Sequence, residues 1–262
     1  MAEKLRLGGM ALANGVLVHG PTSWACAIRL PDGTLEVAAE RKRFVTDERT
    51  PPLLRGPLKL LEAVAVLPSV RRALPGARLP FERPAVLAAM LGSALGLRAV
   101  RGSRLGAATQ EVLSAVFSFA PAVLALRGSE LAAYHGAEHV SIGTYEHDEP
   151  RAKEHERCGS HLVGPILLTT TIGNVLASRA PAHVRPLARA AATLGSLAVS
   201  TEIFSWMVRH PEHPVARALS RPGHELQHRV GTEEPSPEQL EVADAALHAC
   251  LALEAGGSSS PA

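Results

Sequence analysis

The stretch LVGPILLTTTIGNVLAS, residues 162–178, carries no formal charge, and AAATLGSLAVSTEIFSWMV, residues 190–208, carries only Glu202. Crossing a bilayer core takes roughly 20 predominantly apolar residues. A few flanking residues bring both stretches to that length. Two shorter runs, residues 84–97 and 112–126, have the same character. Hydropathy alone admits two architectures: close-packed Ala-rich helices inside a soluble protein, or helices embedded in a membrane. Either way, the body of the chain is helical.

Upstream of these runs the pattern changes. Residues 23–30 and 35–39 are strand-like and flank Pro31-Asp32-Gly33-Thr34. Pro presets φ for the first turn position, and Asp-Gly accepts the left-handed region that follows, so a β-hairpin is expected. From Leu53 the apolar residues Leu53, Leu54, Leu58, Leu61 and Val64 recur at helical spacing. Pro75, Gly76, Pro80 and Pro84 mark a connector, and helical patterning then continues to Arg221-Pro222-Gly223. Ser236, Pro237 and Gln239 form a capping-box start for a last helix ending about residue 253. The expected fold is α+β, predominantly α. A small β-rich region (1–50) precedes a helical bundle (51–253), soluble or membrane-embedded, and a disordered tail (254–262).

Composition narrows the function classes. With 46% hydrophobic and 20% charged residues and a mean hydropathy of +0.09, the chain is neither disordered, nor collagen-like, nor a bare membrane bundle. Aromatic residues make up 3% and the net charge is +2, so no nucleic-acid partner is expected. The three cysteines lack any Cys-x-x-Cys pair, which argues against a disulfide framework. Residues 7–28 are uncharged, but Gly8, Gly9, Asn14, Gly15, Gly20 and Pro21 interrupt them too often for a signal-peptide core.

Histidine is the unusual entry in this composition, at 12 residues, five of them between positions 135 and 161. Tyr134-His135-Gly136-Ala137-Glu138-His139 fits H-x-x-E-H. On a helix His135 and His139 share a face within reach of one Zn²⁺, and Glu138 falls on the same side, placed to activate a water. A third ligand is sought among Glu202, His155, Cys158 and His161. Glu202 is the sharpest of these, being the one ionisable group in an apolar run. A second string, His224-Glu225-Leu226-Gln227-His228, matches H-E-x-x-H. It sits between Pro222-Gly223 and Gly231, too short a helix to hold histidines rigidly, and reads as a surface coincidence. Neither a P-loop lysine nor a G-x-S-x-G elbow is present.

Taken in order, these features resemble the bacterial YqhQ-like family, described as predicted metal-dependent enzymes of unknown function. The resemblance runs from Gly8-Gly9, Gly15-Val16 and Gly20-Pro21 through Arg29-Leu30-Pro31-Asp32-Gly33 and Leu54-Arg55-Gly56. It continues through Tyr134–His139, Arg157-Cys158-Gly159 and Glu202 to Glu234-Pro235 and Glu238–Ala243. Asn14 stands where the family pattern has Glu, and His19 where it has Arg. Val140, Glu156 and Thr201 depart from it too. The resemblance implies a multi-pass protein of the cell membrane, with lipid as its surroundings. It implies a divalent metal, Zn²⁺, on His135 and His139, completed by Glu202, His155 or Cys158. The expected activity is a hydrolase, of peptide bonds by analogy, with Glu138 as general base. The alternative is a non-enzymatic membrane protein whose metal site is structural and closed.

Overall fold

A computed structural model describes residues 4–47 and 49–257. Four antiparallel strands, β1 (Gly8–Leu12), β2 (Gly15–His19), β3 (Ser23–Arg29) and β4 (Leu35–Arg41), pair in chain order. The expected hairpin is the β3–β4 pair. Gly33 in its turn has φ of 87°, and Asp32 accepts a hydrogen bond from the Thr34 amide at 2.9 Å. Two further strands precede it in the segment whose glycines interrupt an uncharged run. Asn14 ties the β1–β2 turn down. Its side chain bonds the carbonyls of Arg29 and Gly76 and accepts from the Arg78 amide at 2.8 Å.

Both faces of the sheet are covered. In the register Val16–Ala27 and Leu17–Cys26 are cross-strand pairs, and alternate residues point to opposite sides. Val16, Val18, Ala25 and Ala27 pack against α5 (Glu130–His147) and α9 (Pro237–Gly257). Leu17, Trp24, Cys26 and Ile28 pack against α2 (Leu67–Ala73) and its flanks. Strands buried on both sides read as continuous apolar runs, which is why β1 and β2 lacked the alternation of a half-exposed strand.

The remaining helices are α1 (Pro52–Ala65), α3 (Pro84–Gly102), α4 (Ala107–Leu126), α6 (Val163–Ser178), α7 (Arg185–Arg209) and α8 (Pro214–Leu226). A single π-helical turn, Gln227–Gly231, follows α8. The last helix reaches Gly257 rather than residue 253. The Glu254 carboxylate accepts from the amides of Thr22 and Ser23 at 2.8 and 2.7 Å and from the Ser23 hydroxyl at 2.6 Å, which draws the expected tail onto the sheet. Residues 258–262 of that tail lie outside the described residues.

Four segments, Pro84–Gly102, Thr109–Leu126, Gly159–Ser178 and Arg185–Arg209, are long and apolar enough to cross a membrane. Between 11% and 33% of each is buried inside the protein, so most of their apolar surface faces outward. They pack as two hairpins, α3 on α4 and α6 on α7. Small and hydroxylated residues line the contacts: Ser93 bonds the Phe117 carbonyl, and Thr169 meets Ser200 at 2.8 Å. Arg101 and Glu111 form an ion pair that also receives the Asn174 amide at 3.0 Å.

Candidate metal centre

Helix α5 lies against the sheet through Leu131, Tyr134, Ala137 and Ile142. Its last residue precedes Asp148, which closes the helix in the left-handed region at φ 58°. Gly136 lets the strand-like exit from the π turn come close, because a Cβ there would collide with the Glu233 carbonyl oxygen. That approach brings Gly231 onto His135.

His135, His139 and Cys158 each offer one ligand atom, and these atoms all lie within 4.8 Å of one another. The Cys158 Sγ is 3.6 Å from His135 Nε2, and the two imidazole centroids are 4.3 Å apart. Zinc bonds of about 2.05 Å to nitrogen and about 2.3 Å to sulfur, at a tetrahedral angle, separate the two atoms by about 3.6 Å. The donor set therefore fits a zinc ion. Each imidazole is held through its other nitrogen: His135 Nδ1 lies 2.7 Å from the Gly231 carbonyl, and His139 Nδ1 lies 2.6 Å from the Lys153 carbonyl. A carbonyl only accepts, so Nδ1 carries the proton and Nε2 keeps the lone pair a metal needs.

Burial dominates the electrostatics. It pushes His139 down to about 2, helped by neighbouring His135, so that imidazole is neutral and ready to ligate. It pushes the Cys158 thiol up. It also lifts Glu138 to about 8, with His135 pulling the other way and Cys158 adding to the rise. Among the described residues Glu138 has no hydrogen-bond partner. Its carboxyl rests on Gly9 of β1, where a Cβ would stand 2.5 Å from Cδ and 2.7 Å from Cγ. A buried acid beside His135 and Cys158 has the setting of a proton-handling group.

The loop carrying Cys158 is fixed by Gln227, which is fully buried. Its Oε1 accepts from the His155 amide at 2.9 Å, and its Nε2 donates to Ser160 Oγ at 2.7 Å. His155 is near the trio, its ring 5.5 Å from that of His139, but its Nε2 faces Glu146 at 3.2 Å. Arg157 pairs with the same carboxylate. His161 Nδ1 sits 2.8 Å from the Glu156 carbonyl. Glu202 is half-buried on α7, where its neighbour Thr201 packs on Gly56 of α1. Neither His155, His161 nor Glu202 belongs to the group of converging ligand atoms. His224 and His228 are exposed, their rings 6.3 Å apart, and His228 pairs with Glu154.

The structure thus joins His135, His139 and Cys158, places Glu138 beside them and leaves Glu202 elsewhere. Gly9, Gln227 and the carbonyls of Lys153 and Gly231 escaped the sequence reading. Gln227 had been quoted only inside the H-E-x-x-H string, where its partners could not be seen. Gly9 was visible as part of an unexplained Gly-Gly pair.

The family described as "Protein of unknown function (DUF1385)" matches residues 129–253. The chain is 34% identical to the "Uncharacterized protein YqhQ" of Bacillus subtilis (strain 168) over 133 residues, 47% of this chain and 41% of that protein. The match therefore spans less than half of the relative. No solved structure matches. The two matches support a YqhQ-like family of unknown function.

Proposed function

We propose that this YqhQ-like chain, matched to DUF1385 over residues 129–253, is a membrane-embedded, metal-dependent hydrolase. In this reading His135, His139 and Cys158 hold one Zn²⁺, and the protein is a multi-pass resident of the cell membrane. The observation that carries the reading is the convergence of three ligand atoms whose two imidazoles are each oriented by a backbone carbonyl. Three protein ligands leave a coordination position open, the arrangement of catalytic rather than structural zinc. Among the described residues no fourth His, Cys or carboxylate joins the group, which disfavours the closed structural site.

Bound zinc would supply Lewis acidity to an oxygen of the substrate or of water. The chain's own residues do the rest. Carbonyl-held His135 and His139 fix the site's orientation, and Gln227 holds the loop that presents Cys158. In its ionised form Glu138, seated on Gly9, would take a proton at Oε from the attacking water and give it to the leaving group as the scissile bond breaks. Nothing in the trio selects a particular scissile bond.

The test is elemental analysis of the detergent-purified full-length chain. Wild type is expected to carry about one zinc per chain. Cys158→Ser and His139→Ala should lose it, and Glu138→Gln should retain it while losing turnover. A wild-type protein without metal, or full retention in His139→Ala, overturns the proposal.

A further inference from the structure

A cavity of about 590 Å³ opens on the far side of His155 and His161, and none of His135, His139 or Cys158 lines it. His155, whose ring lies tilted with its centroid 5.5 Å from that of His139, forms part of its wall. The cavity is chemically two-sided. One side is Phe204, Met207 and Val208 from the last turns of α7, together with Pro211 and Ala216. The other side is ionic, with five lysine or arginine side chains against three glutamates.

The glutamates are already engaged. Glu146 pairs with Arg157 and His155, Glu156 with Arg151, and Glu154 with His228. Arg209 is different. Its Nε donates to the Ser205 carbonyl at 3.1 Å, and among the described residues it has no carboxylate partner. Its guanidinium ends therefore remain available at the cavity for an anion. Helix α7 is long enough to cross a membrane and ends at Arg209, so this apolar wall and this cation fall where a bilayer core gives way to headgroups.

We infer that the cavity binds a membrane amphiphile with a phosphate-bearing, anionic headgroup, its head on Arg209 and its apolar part along Phe204, Met207 and Val208. The volume lies within the ordinary range for small-molecule pockets, enough for a headgroup and the first carbons of a chain. Binding stands on the cavity alone. Treating this amphiphile as the substrate rests on the hydrolase reading above.

The test uses full-length protein in a non-ionic detergent and calorimetric titration with short-chain lipids. Dihexanoyl phosphatidic acid, dihexanoyl phosphatidylcholine and inorganic phosphate are compared. The acid is expected to bind at least tenfold more tightly than either of the others. Arg209→Gln should remove about tenfold of that preference, and Phe204→Ala should weaken both lipids. Arg209 is exposed, so its substitution leaves folding intact; melting temperature verifies this for both variants. His139→Ala should bind the acid as wild type does, even when free of zinc, so failure of the metal reading is separable from failure of this one. Equal affinity for the two lipids, no effect of Arg209→Gln, or phosphate alone binding as tightly as the lipid would each overturn the inference.

Discussion

Gly9→Ala addresses the seat of Glu138 directly. The added Cβ would stand 2.5 Å from Cδ and 2.7 Å from Cγ of that side chain. Ordinary contact begins near 3.4 Å, so the carboxyl must retreat by about 1 Å inside a closed pocket. Overpacking of this kind costs about 1–3 kcal/mol, offset by about 0.5–1 kcal/mol because Ala is favoured over Gly in a strand. The net loss, at most about 2.5 kcal/mol, lowers the melting temperature by up to about 10 °C for a protein of this size. Fluorescence of the buried Trp24 on thermal unfolding in detergent follows the transition. In a Glu138→Ala background the obstruction is gone, and the same substitution becomes neutral or mildly stabilising. The double-mutant cycle should therefore return a coupling of about 1–3 kcal/mol. Gly92→Ala, where nothing lies within 4 Å, serves as the control. If Gly9→Ala costs the same with and without Glu138, the carboxyl does not occupy the space assigned to it.

Other expectations follow from the same geometry. In metal-free protein, burial lifts Glu138 from 4.5 to about 8, so over that interval the folded chain keeps a proton that the unfolded chain has released. Its stability contribution is full below about pH 4.5 and is lost as pH rises through about 8, and Glu138→Gln should flatten that slope in urea titrations at several pH values. Lys42 and Glu62 form an ion pair at 2.6 Å with side chains 2% and 9% exposed. Glu62→Gln should lower the unfolding free energy by about 3–5 kcal/mol, and Lys42→Met with Glu62→Leu by much less, as read from denaturant midpoints. Glu202→Gln should leave zinc content unchanged in elemental analysis, whereas Cys158→Ser should empty the site.

The helical body and its apolar runs were legible because a helix long enough for a bilayer writes its length into composition. Every candidate run lies on a helix, extended by one turn or more in α3, α4 and α7. The β3–β4 hairpin was legible because Asp-Gly names its turn. Strands β1 and β2 were not resolved as separate elements, since burial on both faces erases the period of two. His135 and His139 were readable as a pair because four residues of helix bring them together. Choosing Cys158 over Glu202 was not possible from spacing. It depends on a loop pinned by Gln227, a contact across 72 residues. Glu202 drew attention as a lone charge in an apolar run; it is half-buried on α7 and lies outside the group of converging ligand atoms.

The carbonyl that orients His135 belongs to Gly231, 96 residues further along the chain. Between them lie both helices of the second hairpin, α6 and α7. A growing chain therefore exposes its histidine pair long before it can aim the first of them. The aiming group, the Gly231 carbonyl, follows that hairpin in the chain. For the proposed zinc site this order would make ion capture a late event, possible only once α6 and α7 have been made.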